Sequence, residues 1–297
     1  MSPRKNKLAA LEAVVCRDVG RKTQGLIEAT RGELEAAARS LATARSVGLI
    51  TGFFVPRGDV AAPETDGPVG TALLAAALAA CGVAVRIAVD APCAGAVRAA
   101  VAATGEAVTV DEVADIAHAV ELWQQAGVDH AIAIERCGRS ADGKPRNMRG
   151  VDVSPWTIPL DDLFTAGPWV KLAVGDGGNE IGMGKLPAGL VARDVPNGAQ
   201  IACVTSCDHL IVAGVSNWGA YGLMAALAMV RPDWSPIIAR FLTAERDLAV
   251  TRAIVDVAGA VDGVTARREA TVDGFGPEIH GALIDDLRRI AWGEGAH

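Results

Sequence analysis

Short apolar runs rich in β-branched residues recur along the chain and alternate with alanine-rich stretches of helical length. The apolar runs predict strands at residues 47–55, 83–89, 130–134, 170–174, 201–204 and 211–215, and the alanine-rich stretches predict helices at residues 70–80, 111–126 and 217–230. This order favours a mostly parallel sheet, because parallel strands need crossover helices that cover both faces. The predicted fold is therefore α/β, a three-layer, doubly wound sheet with helices on both faces.

The chain has enough apolar material for a large core, and nothing along it marks a boundary between domains. Hydrophobic residues make up 51% of the 297 residues and aromatic residues only 4%, so small side chains should build a closely packed core. The sequence contains no Pro/Gly/Ser-rich linker, internal repeat or low-complexity segment. We expect residues 1–297 to form a single domain.

The charge and apolar patterns exclude several classes of partner. A net charge of -7 would repel a phosphate backbone, so nucleic-acid binding is not expected. The most apolar stretch, residues 69–89, is interrupted by Gly82 and Arg86, which argues against a membrane span. Six scattered cysteines suit a reducing compartment, and Glu12 interrupts any signal-peptide core. We expect a cytoplasmic protein that acts on a small molecule, either as a monomer or as a homo-oligomer.

Two polar segments follow predicted strands. Residues 51–70 form a long segment that contains Glu64 and Asp66, and loops of this length inside compact domains tend to be functional. Glu135 and Arg136 follow the strand that ends at residue 134, and Asn147 and Arg149 come shortly after them. Ordinary turn residues and solvated loop charges remain the alternative interpretation of both segments.

The glycine-rich segment at residues 175–184 gives the sharpest signal for a site. Five glycines, among them Gly177 and Gly178, accompany Asp176, Asn179 and Glu180. The dinucleotide fingerprint requires glycine where Glu180 stands, and the P-loop pattern also fails, so no nucleotide cofactor is expected. Dense glycine lets the backbone approach a ligand closely and lets successive N–H groups bind an anion.

Four further polar residues are candidates for the site. Asp208 lies near a predicted strand, while Ser216 and Asn217 precede an alanine-rich helix. Helix capping is the alternative role for Ser216 and Asn217. His280 lies at the start of the last predicted helix, behind ordinary first-turn residues.

Four segments resemble the D-glutamate cyclase-like family, in the same order along the chain. They are TGFFVP with PETDGP at residues 51–68, ER.GR.ADG..NMRG at 135–150, GDGGNEIGMG at 175–184 and LIVAGVSNWGAYGL at 210–223. The similarity extends from CRDVGR at residues 16–21 to VDGFGPEIH at residues 272–280. The chain departs from the family pattern at Cys137, where the family has proline.

The resemblance implies a hydro-lyase that cyclises D-glutamate to 5-oxo-D-proline with loss of water. Such a reaction needs a base for the ammonium, an acid or cation for the γ-carboxyl group and a clamp for the chain. Crowded carboxylates can divide the acid and base work, because repulsion raises the pKa of one of them. Arg136 or Arg149 could bind a substrate carboxylate, and the glycine-rich turn could donate N–H groups to the developing oxyanion. The predicted catalytic residues are Asp66, Glu135, Asp176 and Glu180.

The same acids could bind Mg2+ or Mn2+, with Asp176 and Glu180 as the predicted metal ligands. A lyase or hydrolase for another small amino acid or lactam is an alternative function, and so is a non-catalytic small-anion-binding protein. The predicted substrate-binding residues are Glu64, Arg136, Asn147, Arg149, Gly177, Gly178, Asn179, Asp208, Ser216, Asn217 and His280.

Overall fold

The computed structural model describes residues 3–293, and this part of the chain forms two sheets. The larger sheet has six strands, all of them paired in parallel, and the smaller one is an antiparallel hairpin. The strands are β1 (Ser46–Ile50), β2 (Phe54–Arg57), β3 (Val60–Pro63), β4 (Ala84–Val89), β5 (Thr109–Glu112), β6 (His130–Ile134), β7 (Val170–Gly175) and β8 (His209–Val212).

Helices precede the first strand, connect later strands and follow the last of them. They are α1 (Pro3–Val15), α2 (Gln24–Ala29), α3 (Glu33–Leu41), α4 (Pro68–Ala80), α5 (Ala91–Thr104), α6 (Ile116–Gln125), α7 (Asp161–Thr165), α8 (Leu190–Asp194), α9 (Gly198–Ile201), α10 (Ser216–Val230), α11 (Ser235–Ile238), α12 (Ala244–Ala258) and α13 (Pro277–Trp292). In the described residues, no helix combines the length and the apolar character that crossing a membrane requires.

Alternating side chains along the strands build two cores, one on each face of the large sheet. In β6, Ile132 and Ile134 pack into the core that contains residues of α1, α3, α4, α5, α10, α12 and α13. Ala131 and Ala133 face the opposite core, which contains residues of α2, α6, α7, α8 and α9. Successive residues of a strand point to opposite faces, so both faces are covered. This arrangement confirms the predicted three-layer α/β fold.

The strand order of the large sheet determines where a ligand should bind. The order is β5-β4-β1-β6-β7-β8. After β1, the strands β4 and β5 are added on one side of β1, and then β6, β7 and β8 are added on its opposite side. Among the six strands of this sheet, the order corresponds to 3-2-1-4-5-6 of doubly wound folds. Ligands in such folds bind beyond the carboxyl ends of the strands where the direction reverses. The crevice between β1 and β6 is therefore the expected site.

The predicted strand at residues 201–204 is wrong. Helix α9 ends at Ile201, and Cys203 makes only an isolated bridge with Ser140. A short apolar run can be buried in a loop or helix end as well as in a strand, and the sequence pattern alone does not separate these cases.

Several other predicted elements have different bounds; the strand predicted at residues 211–215, for example, is β8 at His209–Val212. Strand β1 ends at Ile50, and the remainder of the predicted strand at residues 47–55 enters the β2–β3 hairpin. The predicted helix at residues 111–126 begins only at Ile116, because β5 occupies the start of that stretch. The Asp115 side chain accepts a 2.9 Å hydrogen bond from the Ala117 amide and caps α6.

Candidate active site

Loops from the carboxyl ends of β1, β6 and β7 surround a cavity of about 210 Å3. This volume lies below the roughly 300–1,000 Å3 that is typical of sites for drug-sized ligands, and it favours a ligand about the size of an amino acid. The residues that line the cavity are Arg21, Phe53, Val55, Glu64, Glu135, Asn147, Met148, Arg149, Asp176, Asn179, Gly263, Val264 and Asp273.

The Asp66 carboxylate lies at the N-terminal end of α10, outside the cavity lining but with an oxygen within 4.8 Å of oxygens of Glu135 and Asp176. Its Oδ2 accepts a 2.8 Å hydrogen bond from the Ser216 amide, and its Oδ1 accepts one of 2.8 Å from the Asn217 amide. The positive end of the helix dipole favours a carboxylate in this position. Burial and the neighbouring Asp273 nevertheless raise the pKa of Asp66 to about 8, against the effect of these two amides.

The Asn217 side chain fixes the loop that carries Asp66. Its Oδ1 accepts hydrogen bonds from the Gly67 amide at 3.0 Å and the Gly70 amide at 2.8 Å. Its Nδ2 donates to the Thr65 carbonyl oxygen at 3.2 Å. Asn217 is fully buried and lies outside the cavity lining, so it positions the loop and does not face a ligand.

Glu135 combines a strained backbone with a buried side chain. Its φ angle of 44° places a non-glycine residue in the left-handed region, and such outliers cluster at functional sites. The Ser216 hydroxyl donates a 2.5 Å hydrogen bond to Glu135 Oε2. Burial raises the pKa of Glu135 well above its usual range, and the negative charges of Glu180 and Asp66 raise it further. The Glu135 carboxylate is therefore a stronger base than an ordinary glutamate, and it is placed to accept a proton.

The glycine-rich turn after β7 is organised around the Glu180 carboxylate. Its Oε1 accepts hydrogen bonds from the amides of Asp176 at 3.1 Å and Gly177 at 2.6 Å, and its Oε2 accepts one from the Gly178 amide at 2.8 Å. The anion-binding nest predicted for this turn is thus filled by the protein's own carboxylate. This corrects the roles predicted for Glu180, Gly177 and Gly178, because the carboxylate and both amides already have partners within the turn.

Asp176 faces the cavity from the same turn. Its Oδ1 accepts a hydrogen bond from the Arg21 guanidinium, and its buried Oδ2 has no hydrogen-bond partner among the described residues. Burial raises the pKa of Asp176 well above its usual range, although the charge of Arg21 opposes this shift. Asp176 therefore lines the cavity and has one buried oxygen whose lone pairs have no donor among the described residues.

Arg21 and Asp273 come from opposite ends of the chain. Arg21 Nη2 lies 2.6 Å from Asp273 Oδ2, while Nη1 contacts Asp176, so the guanidinium bridges two carboxylates. Asp273 is the second cavity residue with a left-handed backbone, at a φ angle of 55°. Sequence reasoning missed Arg21, whose only signal was its place in the CRDVGR motif, and it left Asp273 out of the site although VDGFGPEIH contains it.

Glu64 adds another buried acid to the cavity wall. Burial raises the pKa of Glu64 well above its usual range, and the negative charges of Asp273 and Asp66 raise it further. Four carboxyl groups with raised pKa values, those of Glu64, Asp66, Glu135 and Asp176, thus surround one guanidinium. Such a cluster can hold shared protons at neutral pH and can release or accept them with little change in position.

The mouth of the cavity carries the opposite charge. Arg149 is exposed and lies on a turn in which Asn147 Oδ1 accepts hydrogen bonds from the amides of Arg149 at 3.0 Å and Val151 at 3.1 Å. Partial burial and the nearby charge of Arg57 lower the pKa of Arg149 from its usual value. An arginine always remains charged in proteins, so the entrance presents a cation.

Three of the carboxylates could share a metal ion. One oxygen from each of Asp66, Glu135 and Asp176 lies within 4.8 Å of the others, which is the only such group within residues 3–293. An ion at roughly 2.0–2.6 Å from each oxygen would fit this spacing. Glu180, predicted as a metal ligand with Asp176, is absent from the group because its carboxylate accepts the three amides of the turn.

Comparison with known proteins identifies the family. The model of the family described as D-glutamate cyclase-like, C-terminal matches residues 11–288, which include every residue of the cavity. This chain belongs to the D-glutamate cyclase-like family. It is 36% identical over 239 residues to the human mitochondrial D-glutamate cyclase, a match that covers 74% of this chain and 38% of the human protein. The match thus spans well under half of the length of this relative.

A solved structure with similarity to the chain is that of an RpiR transcription factor (sugar isomerase domain) from Sphaerobacter thermophilus. The match covers 80% of this chain and 93% of that chain, at 15% sequence identity and a TM-score of 0.30. The similarity is too low to inform the function of a D-glutamate cyclase-like protein.

The motifs of the D-glutamate cyclase-like family supply both ligand-facing and structural residues. Among the predicted site residues, Glu64, Glu135, Asn147, Arg149, Asp176 and Asn179 line the cavity. Ser216 supports Glu135 through its hydroxyl and Asp66 through its amide. Asn179 Nδ2 donates to the Arg146 carbonyl oxygen at 2.9 Å, which ties the glycine-rich turn to the loop at the mouth.

Arg136, predicted to bind a substrate carboxylate, points away from the cavity. Its fully buried guanidinium donates to Asp90 Oδ2 at 2.6 Å and to the carbonyl oxygens of Gly52 at 2.9 Å and Ile158 at 2.8 Å. Neighbouring residues at a strand end project to opposite sides, so Glu135 faces the cavity and Arg136 does not. Arg136 therefore joins three loops at the carboxyl ends of the strands.

Asp208 and His280 also lie outside the cavity lining. Asp208 Oδ2 accepts a 2.8 Å hydrogen bond from the Lys171 amide near the start of β7. This contact lies at the amino ends of the strands, whereas the cavity lies beyond their carboxyl ends. His280 Nδ1 accepts a 2.8 Å hydrogen bond from Trp218 Nε1 and packs against Trp218 and Phe275. These contacts correct the substrate-binding role predicted for both residues.

Cys137, where the chain departs from the family pattern, is buried beside the mouth. Its thiol donates to the Arg146 carbonyl oxygen at 3.2 Å, and its side chain packs with Phe53 and Val153. Burial raises the pKa of the Cys137 thiol well above its usual range. A neutral, packed thiol of this kind supports the loop and is unsuited to act as a nucleophile.

Proposed function

We propose that the protein is a hydro-lyase that cyclises D-glutamate to 5-oxo-D-proline and water. The observation that carries the proposal is the grouping of Asp66, Glu135 and Asp176, with oxygens within 4.8 Å of one another, beside a cavity that has Arg149 at its mouth. Family membership supports the same reaction, which the human relative's name describes.

The charges of the cavity complement those of glutamate. The acids that line the cavity attract the ammonium group, and Arg149 at the mouth can bind the α-carboxylate. Binding at both ends would fold the side chain back toward the nitrogen, as ring closure requires. The modest volume favours this bent pose over a larger ligand.

The atoms of the reaction balance within the site. The ammonium nitrogen loses two protons and forms a bond to the γ-carbon, while one γ-carboxyl oxygen leaves with two protons as water. Glu135 and Asp176 face the cavity and receive the protons of the nitrogen. Glu64, whose pKa is raised by burial, donates one proton to the leaving oxygen, and one of the two newly protonated carboxyl groups donates the second. The other newly protonated carboxyl group then returns its proton to Glu64.

Incubation of the purified protein with D-glutamate or L-glutamate tests the proposal directly. We expect 5-oxo-D-proline, detected by chiral chromatography and mass spectrometry, to form from D-glutamate faster than in an enzyme-free control. The same enzyme should accelerate hydrolysis of 5-oxo-D-proline, because a catalyst acts on both directions. Absence of conversion in both directions, with metal chelator or with added Mn2+, would contradict the proposal.

A panel of variants connects that activity to the site. Glu135→Gln should lower turnover by roughly 10²–10⁴-fold, the usual contribution of a positioned acid or base. Glu121→Gln, an exposed change on α6, provides the matched control. Circular dichroism shows whether both variants are folded.

A further inference from the structure

The cavity contains two arginines, and glutamate contains two carboxylates. Within the described residues that line the cavity, Arg21 and Arg149 are the only cations. Arg149 is exposed at the mouth, whereas the Arg21 side chain is mostly buried, at 19% exposure, among the acids. The two arginines are therefore not equivalent, and each should take a different carboxylate.

The chemistry determines which carboxylate goes where. Ring closure joins the nitrogen to the γ-carbon, so both groups must lie beside the carboxyl groups that move protons. Arg21 contacts Asp176 directly and lines the same cavity as Glu135. The α-carboxylate takes no part in bond formation and can remain at the mouth.

We infer that Arg21 binds the γ-carboxylate of the substrate and selects amino acids that carry one, an inference that rests on the proposed function. In the free enzyme, Arg21 is held between Asp176 and Asp273, ready for an anion. An incoming γ-carboxylate replaces Asp176 on the guanidinium, and the freed Asp176 then accepts a proton from the ammonium group. Substrate selection and release of the base are one event.

The backbone around Arg21 is built to keep it in place. Asp18 Oδ1 accepts hydrogen bonds from the amides of Gly20 at 3.1 Å and Arg21 at 2.9 Å. The Gly214 amide donates to the Val15 carbonyl oxygen at 2.9 Å and ties this segment to the loop before α10. Because these hydrogen bonds hold the backbone that leads to Arg21, the guanidinium can change partners by side-chain rotation alone.

D-Glutamate and D-glutamine form the probe pair, because they share the ammonium and the α-carboxylate and differ only in the charge of the γ-group. Calorimetric titrations are carried out in the Glu135→Gln background, so that turnover does not disturb the binding signal. Arg21→Gln should weaken D-glutamate binding by roughly 10- to 100-fold, as expected for a lost hydrogen bond to a charged group, and should weaken D-glutamine binding far less. Arg149→Gln should weaken both probes by similar factors.

Lys22→Gln is the matched control, because Lys22 is the exposed neighbour of Arg21 and lies outside the cavity lining. Equal losses for the two probes in Arg21→Gln would overturn the inference, and so would an unchanged preference for D-glutamate or the failure of both probes to bind. Arg21→Lys, which keeps the charge, should restore part of the preference. Wild-type turnover is scored separately, so an Arg21-dependent preference without cyclisation would refute only the proposed function.

Discussion

The Ser216 hydroxyl donates a 2.5 Å hydrogen bond to Glu135 Oε2, and this bond joins the start of α10 to the loop after β6. A hydroxyl donor favours the ionised form of the carboxyl group, so it lowers the pKa of Glu135 against the effect of burial. Ser216→Ala should therefore raise that pKa further. Because Glu135 must be ionised to accept a proton, the acidic limb of the pH–rate profile should move to higher pH.

Turnover of Ser216→Ala at neutral pH should fall by about tenfold, close to the value of one hydrogen bond to a charged group. Initial rates of 5-oxo-D-proline formation across the pH range provide the measurement. Ser154→Ala, a change on an exposed turn, serves as the control. An acidic limb that stays in place would show that the bond does not tune Glu135.

The crowded acids should make the ligand-free protein less stable as the pH rises. Burial raises the pKa of Glu64 well above its usual range and that of Asp66 to about 8, so the folded state retains protons that the unfolded chain loses near pH 4. The stabilisation is complete below about pH 4 and is lost as the pH rises toward about pH 8. Each retained proton contributes a slope of about 1.4 kcal/mol per pH unit.

Glu64→Gln removes one titrating group and should flatten the dependence of the unfolding free energy on pH. Urea denaturation at several pH values between about 5 and 8 measures the slope for both proteins. Glu106→Gln, on the turn after α5, is the control and should retain the wild-type slope. Identical slopes in wild type and Glu64→Gln would mean that Glu64 is already ionised in the folded protein.

Glu180 should prove to be a structural residue. Glutamine offers only one oxygen, and its side-chain NH2 group would point at backbone N–H groups that need an acceptor. Glu180→Gln therefore leaves buried N–H groups without partners. We expect the free energy of unfolding to fall by about 1–3 kcal/mol. Glu121→Gln on the exposed face of α6 should leave it unchanged. A stable Glu180→Gln protein that binds ligand normally yet lacks turnover would instead restore the catalytic role predicted from the sequence.

Arg136 should also affect stability more than ligand binding. Arg136→Met leaves Asp90 buried without its cation, and breaking a buried pair costs about 3–5 kcal/mol. The double variant Arg136→Met with Asp90→Leu should recover part of this loss, because it removes the unpaired charge as well. Urea denaturation compares the three proteins. Unchanged stability of Arg136→Met together with weaker D-glutamate binding would contradict this assignment.

The sequence was sufficient to predict the layered fold and the acids that follow buried strands. Glu135 and Asp176 directly follow runs whose β-branched residues mark them as strands, so their place at one edge of the sheet follows from topology. The edge strand β5, with the sequence TVDE, was missed because it is short and half polar.

Side-chain direction was the part that the sequence could not provide. Asp176 and Glu180 are both acids in one glycine-rich turn, yet one faces the cavity and the other accepts the amides of the turn. Arg136 and Arg149 belong to one motif, and only Arg149 reaches the cavity. Arg21 lies outside the strand-end loops, and it reaches the site only because the segment before α2 packs beside α10.

The bridge that Arg21 makes between Asp176 and Asp273 spans almost the whole chain. The cavity is complete only when the segments that carry residues 21 and 273 are both in place, so no fragment that lacks either residue can retain the complete pocket. Removing residues up to 21 would delete the buried cation, and ending the chain before residue 273 would delete one of its anchors. Ligand affinity therefore depends on two segments that are far apart in the sequence, and a truncation that removes either of them should abolish it even where the sheet survives.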